Sequence, residues 1–186
     1  AQLVAEGVAP VVEVARDNDR LAVRRRGRHT IDQGLRLAAP RDEATLRESL
    51  RTAVSTDDAP TVVRYPKGAL PEPLTALRRL GPESEEPGRG GDPAHQDTPS
   101  VSVFDVVDVL LESRRPAGGA RILLVGVGAM ATQAYEAGRL LEQEGHAVTV
   151  VHPHWVIPAP APLVTAAADV DVVVVVEDGL VDGGIG

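Results

Sequence analysis

At 186 residues the chain is long enough for one ordinary domain or two small ones. Its 25% charged and 43% hydrophobic residues are those of a globular chain, and no apolar run is long enough to span a bilayer. The lack of cysteine excludes a disulfide framework and a thiolate zinc site, while 2% aromatic residues leave little for stacking on single-stranded nucleic acid. The net charge of −8 is uneven, +2 over residues 1–68 and −6 over 121–186, and an acidic carboxyl-terminal half repels a polyanion. Arginine outnumbers lysine 18 to one, as GC-rich coding would give. No charged-then-apolar leader opens the sequence, so the cytoplasm is the expected compartment, with neither membrane nor nucleic acid as partner.

In chain order, Ala1–Val14 reads as a helix end stopped at Gly7 and a short strand at Pro10–Val14. Residues 16–33 then carry Arg16, Arg20, Arg24, Arg25, Arg26 and Arg28 with few apolar residues, so they can bury little. That stretch is either a nucleic-acid or phosphate patch, or a solvated loop, or a segment that does not belong to the parent fold. Gly34–Ala39 reads as a strand, and Asp42 as the N-cap of a helix whose Leu46, Leu50 and Val54 share one face. Glu43 precedes Arg47 by one turn, the favourable order for a helical ion pair. After a turn at Asp57–Pro60, Thr61–Arg64 is a strand stopped by Pro66. Pro71–Ser100, rich in Pro, Gly, Glu and Asp, reads as a linker, and Val101–Glu112 as a strand or hairpin arm leading into the last unit.

The clearest signal follows. Arg121–Val127, Ala147–Val151 and Val172–Val176 are apolar runs without polar alternation, the pattern of strands buried on both faces. A helical segment, Ala129–Gln143, joins the first two, and the second crossover is also long enough for a helix, so the sheet is expected to be parallel. The fold class is α/β.

Four constellations carry chemistry. Gly126-Val-Gly128-Ala-Met-Ala131 follows a strand and opens a helix, which suits a dinucleotide pyrophosphate or simply a tight turn. The acid that would hold a ribose at the end of the next strand is replaced by His152-Pro-His154. Those histidines alternate toward one side and read as half-exposed residues at a strand end, or as metal ligands with Glu177 or Asp178 as the third. Glu177-Asp178-Gly179 lies at the carboxyl edge of the sheet, where open α/β folds bind ligands and where a partner subunit could equally dock. Arg64, held between a buried strand and the Tyr-Pro-Lys-Gly that follows it, offers a rigid fork for a phosphate or carboxylate, or else makes a structural ion pair.

Gly34–Glu43 and Ala59-Pro-Thr-Val-Val-Arg-Tyr-Pro-Lys-Gly68 together resemble the end of the pyrimidine-binding domain of the 1-deoxy-D-xylulose-5-phosphate synthase family. Ile122–Gly128, Val148-Thr-Val-Val-His-Pro-His-Trp-Val-Ile-Pro158, Val175–Gly179 and Gly183–Gly186 resemble its transketolase-type carboxyl-terminal domain. Arg-Tyr-Pro-Lys-Gly with Pro-His-Trp-Val-Ile-Pro favours this family over the 2-oxoacid dehydrogenase β-subunits, which remain the alternative beside a non-catalytic α/β dimerisation module. The resemblance implies a partial pyrimidine-binding domain over 1–68 (atypical at 16–33), a linker and arm over 69–118, and a truncated transketolase C-terminal-like domain with a parallel sheet over 119–186. It implies a homodimeric thiamine-diphosphate and Mg2+ transferase that condenses pyruvate with glyceraldehyde 3-phosphate, releasing CO2 and feeding isoprenoid, thiamine and pyridoxal synthesis. Arg64 would bind the acceptor's phosphate, and no catalytic, cofactor or metal residue is carried onto the chain. The family's Gly-Asp-Gly cofactor site is missing, its catalytic glutamate would lie just before Ala1, and its last helix would begin after Gly186. Its loop with a second phosphate arginine and a histidine gives way to residues 16–33, and His29 lacks a matching context. No cofactor binding and no turnover are therefore expected of this chain alone.

Overall fold

Arg121-Ile-Leu-Leu-Val-Gly126 forms an inner strand of the larger sheet, because branched side chains with nothing polar between them can bury both faces of a pleated ribbon. The computed structural model describes residues 34–67, 71–81, 102–113 and 119–179, with the backbone of a short antiparallel ladder, β1 (Val11–Val12) and β2 (Val23–Arg24). The helix end before Gly7, most of the Arg-rich stretch 16–33 and Gly183–Gly186 lie outside the described residues. The remaining elements are β3 (Arg36–Ala38), α1 (Glu43–Val54), β4 (Thr61–Val63), β5 (Arg78–Leu80), β6 (Val107–Glu112), β7 (Arg121–Gly126), α2 (Ala131–Gln143), β8 (Ala147–Pro153), β9 (Trp155–Ile157), α3 (Ala161–Ala168) and β10 (Val172–Val176).

The larger sheet runs β10-β7-β8-β6-β5. Its three Val/Leu-rich strands are parallel as expected, Ile122 lying beside Val172 on one side and Val148 on the other. β6 joins antiparallel to β8, and β5 antiparallel to β6, so the whole sheet is mixed. A smaller sheet, β4-β3-β9, pairs β3 parallel to β4 and antiparallel to β9. A strand that follows β8 directly therefore completes the sheet begun by β3, and the two halves of the chain share hydrogen bonds.

Alternation along β7 divides the core. Ile122 and Leu124 face α2 with Leu110, Val148 and Val150. Leu123 and Val125 face the other way, where Leu37, Val62 and Val156 of the smaller sheet and Leu163 and Ala166 of α3 complete the second cluster. On α2, Ala131, Ala134 and Gly138 recur at helical spacing and bring its backbone close to the sheet. A Cβ on Gly138 would lie 2.5 Å from Val150 Cγ2, so only glycine lets the helix approach this far. Trp155 is 2% exposed and meets Phe104 edge to face, with ring centroids 4.9 Å apart.

Three local expectations need correction. β10 is not buried on both faces: Val172–Val175 are 37–45% exposed, because β10 is the edge strand and pairs only with β7 among the described residues. The Leu46-Leu50-Val54 face of α1 is not its inner face either, since Leu50 is 44% and Val54 87% exposed. The helix instead turns Thr45 and Ser49 inward, because Asp42 and Thr45 cap one another reciprocally and Glu48 is drawn to Arg79. Finally, the stretch expected as linker contains a strand, β5, whose backbone finds partners on β6, while residues 82–100 of that stretch lie outside the described residues. Asp42 as N-cap and the Glu43–Arg47 pair stand as expected.

Candidate functional site

The carboxyl ends of the two sheets meet at an ion pair. Arg64 directly follows β4, and its backbone N–H donates to Ala38 O, which extends the ladder by one residue and fixes where the side chain leaves. Its guanidinium Nη2 donates to Asp178 Oδ1 from the turn after β10. Neither side chain is buried, at 28% exposure for Arg64 and 52% for Asp178. In that turn the Glu177 carboxylate folds back over Gly179, 2.7 Å from where a Cβ would stand. Two constellations separate in the sequence, the Arg64 strand end and Glu177-Asp178-Gly179, thus form one surface site.

A buried charge cluster that the sequence did not reveal is centred on β6. Asp108 on β6 is 1% exposed and takes Arg41 Nη1 at 2.6 Å and His154 Nε2 at 2.9 Å on Oδ2, and Arg79 Nε at 2.8 Å on Oδ1. Arg79 Nη1 also reaches Glu48 Oε1 at 2.8 Å, while Arg41 Nε and Nη2 donate to Leu74 O. Burial alone would raise the Asp108 pKa, but His154, Arg79 and Arg41 outweigh it and hold the carboxyl well below the usual range. The sequence signals were Asp108 as an acid inside a strand pattern, Arg41 beside a helix cap, and His154, whose burial against Asp108 its pattern did not show.

His152 and His154 are not half-exposed: they are 0% and 1% exposed, because β8 is an inner strand and continues through Pro153. His152 Nδ1 lies 3.0 Å from Gly126 O and donates to it, leaving the buried Nε2 without a hydrogen-bond partner among the described residues. Burial first, then the charges of Arg41 and His154, push its pKa down to about 3, so the ring is neutral near pH 7. The two rings lie 5.5 Å apart, but His154 is engaged by Asp108 and Asp178 by Arg64. Among the described residues no three His, Cys, Asp or Glu side chains are grouped to hold a metal ion.

Gly126-Val-Gly128 serves a turn. A Cβ on Gly126 would stand 2.6 Å from Ala131 Cα, and Gly128 has φ +58°, a left-handed conformation that glycine adopts without strain. Ala39 Cβ and Pro40 O lie 3.7 Å from the Cβ position of Gly128, so the connection between β3 and α1 lies against this turn where a pyrophosphate would approach. A second feature that the sequence did not reveal is an open hollow of about 390 Å³ between α1 and Phe104. Arg36 lies 4.0 Å over the Phe104 ring there and forks onto Asp58.

Comparison with known proteins follows this architecture. Residues 112–186 match the family described as "Transketolase, C-terminal domain". The 1-deoxy-D-xylulose-5-phosphate synthase of Kocuria rhizophila is 46% identical over 157 residues, which is 82% of this chain and 20% of that protein. That of Rhodococcus jostii is 44% identical over 154 residues, 82% of this chain and 20% of its own length. That of Corynebacterium glutamicum is 39% identical over 158 residues, 84% and 22% respectively. The chain therefore spans about a fifth of the length of these relatives. A solved structure described as "Split gene transketolase, inactive beta4 tetramer" superposes with a TM-score of 0.52 at 22% identity, over 81% of this chain and 41% of that one, and supports the fold. Residues 112–186 thus match the transketolase C-terminal domain family, in a chain that is similar to the carboxyl-terminal part of 1-deoxy-D-xylulose-5-phosphate synthases.

Proposed function

We propose that this chain is part of a 1-deoxy-D-xylulose-5-phosphate synthase, which joins pyruvate to glyceraldehyde 3-phosphate with loss of CO2, and that Arg64 holds the phosphate of the acceptor. The observation that carries this is the position of Arg64: a partly exposed guanidinium, fixed at the carboxyl end of β4, where parallel strands present side chains to ligands. Similarity to relatives named for that synthase supports the substrate assignment. On this reading, residues up to 68 are the end of a pyrimidine-binding domain and those from 119 a transketolase C-terminal-like domain, with β9 bonded back onto β3.

The relatives imply a thiamine-diphosphate enzyme, and that cofactor would supply the carbanion chemistry that removes CO2. The described residues do not fit a diphosphate and magnesium cradle. The glycine turn before α2 is packed against Ala39 and Pro40, and among the described residues no acidic cluster is grouped for a metal. The role proposed for this chain is therefore to bind the acceptor and support the fold, with the cofactor held elsewhere in the complete enzyme. The exposed valines of β10 support a homodimer as its working form. No helix among the described residues is long and apolar enough to cross a membrane, and we assign the enzyme to the cytoplasm.

The test is Arg64→Ala in a synthase that carries this chain as its carboxyl-terminal part. Loss of a two-point charged contact raises the KM for glyceraldehyde 3-phosphate about tenfold to a hundredfold, with decarboxylation of pyruvate retained. An unchanged KM for the phosphorylated acceptor rejects the assignment.

A further inference from the structure

The Arg64 pair differs from three other exposed arginine–carboxylate pairs among the described residues. Arg36 forks onto Asp58, Arg78 onto Glu112 and Arg121 onto Asp171, each through two guanidinium nitrogens. Toward Asp178, Arg64 makes one side-chain hydrogen bond, from Nη2. A guanidinium has five N–H donors. The pair therefore leaves most of the Arg64 donors unused by any side chain among the described residues. The carboxylate that holds it is half-exposed, on a turn, and exchangeable at little cost: an exposed pair contributes about 1 kcal/mol or less. A phosphate dianion offers more, since it can take two N–H groups at once.

We infer that Asp178 is a built-in counter-anion of the phosphate anchor, a positioning residue that steadies Arg64 in the empty site and gives way to the incoming phosphate. The inference rests on the reading of Arg64 as that anchor. Two consequences follow from the charges. Asp178 keeps Arg64 aimed at the junction of the two sheets rather than into solvent. It also weakens phosphate binding, because the ligand must displace one carboxylate and then sit beside it as a like charge. An affinity lowered in this way favours release of a phosphorylated product.

The experiment titrates this chain with inorganic phosphate and with glyceraldehyde 3-phosphate, following 31P line width and the Arg64 side-chain 15N resonance, with thermal melting of each variant alongside. Asp178→Asn keeps the shape and removes the charge. Phosphate then binds about fivefold more tightly, while the melting temperature stays level or falls. A purely structural pair moves affinity the other way, since a loosened Arg64 binds more weakly. Unchanged or weaker binding by Asp178→Asn, with binding lost in Arg64→Ala, overturns the role of Asp178 and leaves the anchor standing. Equal binding by Arg64→Ala and the parent chain, or none by either the parent chain or Asp178→Asn, overturns both.

Discussion

His152 makes the stability of this chain sensitive to mild acid. Its ring is wholly buried, Nδ1 is committed to Gly126 O, and its pKa falls from 6.5 to about 3, through burial first and then the charges of Arg41 and His154. Between these values the unfolded chain carries a proton that the folded chain refuses, so stability is full above pH 6.5 and declines as pH falls toward 3. For a single site with those two constants, lowering the pH from 7 to 5 removes about 2 kcal/mol. That is a large share of the ~5–15 kcal/mol by which domains are stable. Asp42 and Asp108 also face this region, and both are held below their ordinary values, so they stay ionised between pH 7 and 5. The assay is urea unfolding at pH 7, 6 and 5 for the parent chain and for His152→Asn, whose amide can still donate to Gly126 O but does not titrate. The variant loses about 2 kcal/mol less than the parent between pH 7 and 5. Parallel pH profiles for the two proteins refute the reasoning, because the titrating group would then lie elsewhere.

Removing the charge of Asp108 should be the most damaging single change. Asp108→Asn takes the closer of two carboxylates from Arg41, 8% exposed, leaving it Asp42 at 3.2 Å, and also strips a charge partner from Arg79 and His154, so it costs about 3–5 kcal/mol in urea unfolding. A cost no greater than that of Arg47→Ala, which breaks an exposed helical pair, would count against a structural node at Asp108. Gly138→Ala gains helix propensity but drives a methyl group to 2.5 Å from Val150 Cγ2 and 3.1 Å from Leu111 Cδ2. Overpacking wins, so the melting temperature drops by the equivalent of about 1–3 kcal/mol, and a raised melting temperature would show that α2 can move away.

Much of the fold was legible because its signal is local. Unbroken branched runs marked β7, β8 and β10, and the crossovers between them made the strands parallel. Asp42 announced the start of α1 through a cap that depends on residues three apart. What misled was the inference from pattern to burial. The valines of β10 read like those of an inner strand, but an edge strand has a neighbour on one side only. The leucine stripe of α1 predicted an apolar inner face, where the interior holds arginine and aspartate.

Of the candidate site, the sequence determined the residue types and the family pattern: Arg64 in Arg-Tyr-Pro-Lys-Gly, Asp178 after the last valine run, and a match to transketolase C-terminal domains. It could not show that Arg64 and Asp178 touch across 114 positions, or that Arg41 reaches Asp108 across 67. Nor could it show that His152 and His154 lie in the interior. Secondary structure follows from neighbours along the chain, whereas charge pairing and burial depend on the register of strands and on how one sheet meets another. Only the tertiary structure sets those distances, and with them which carboxylate each arginine finds.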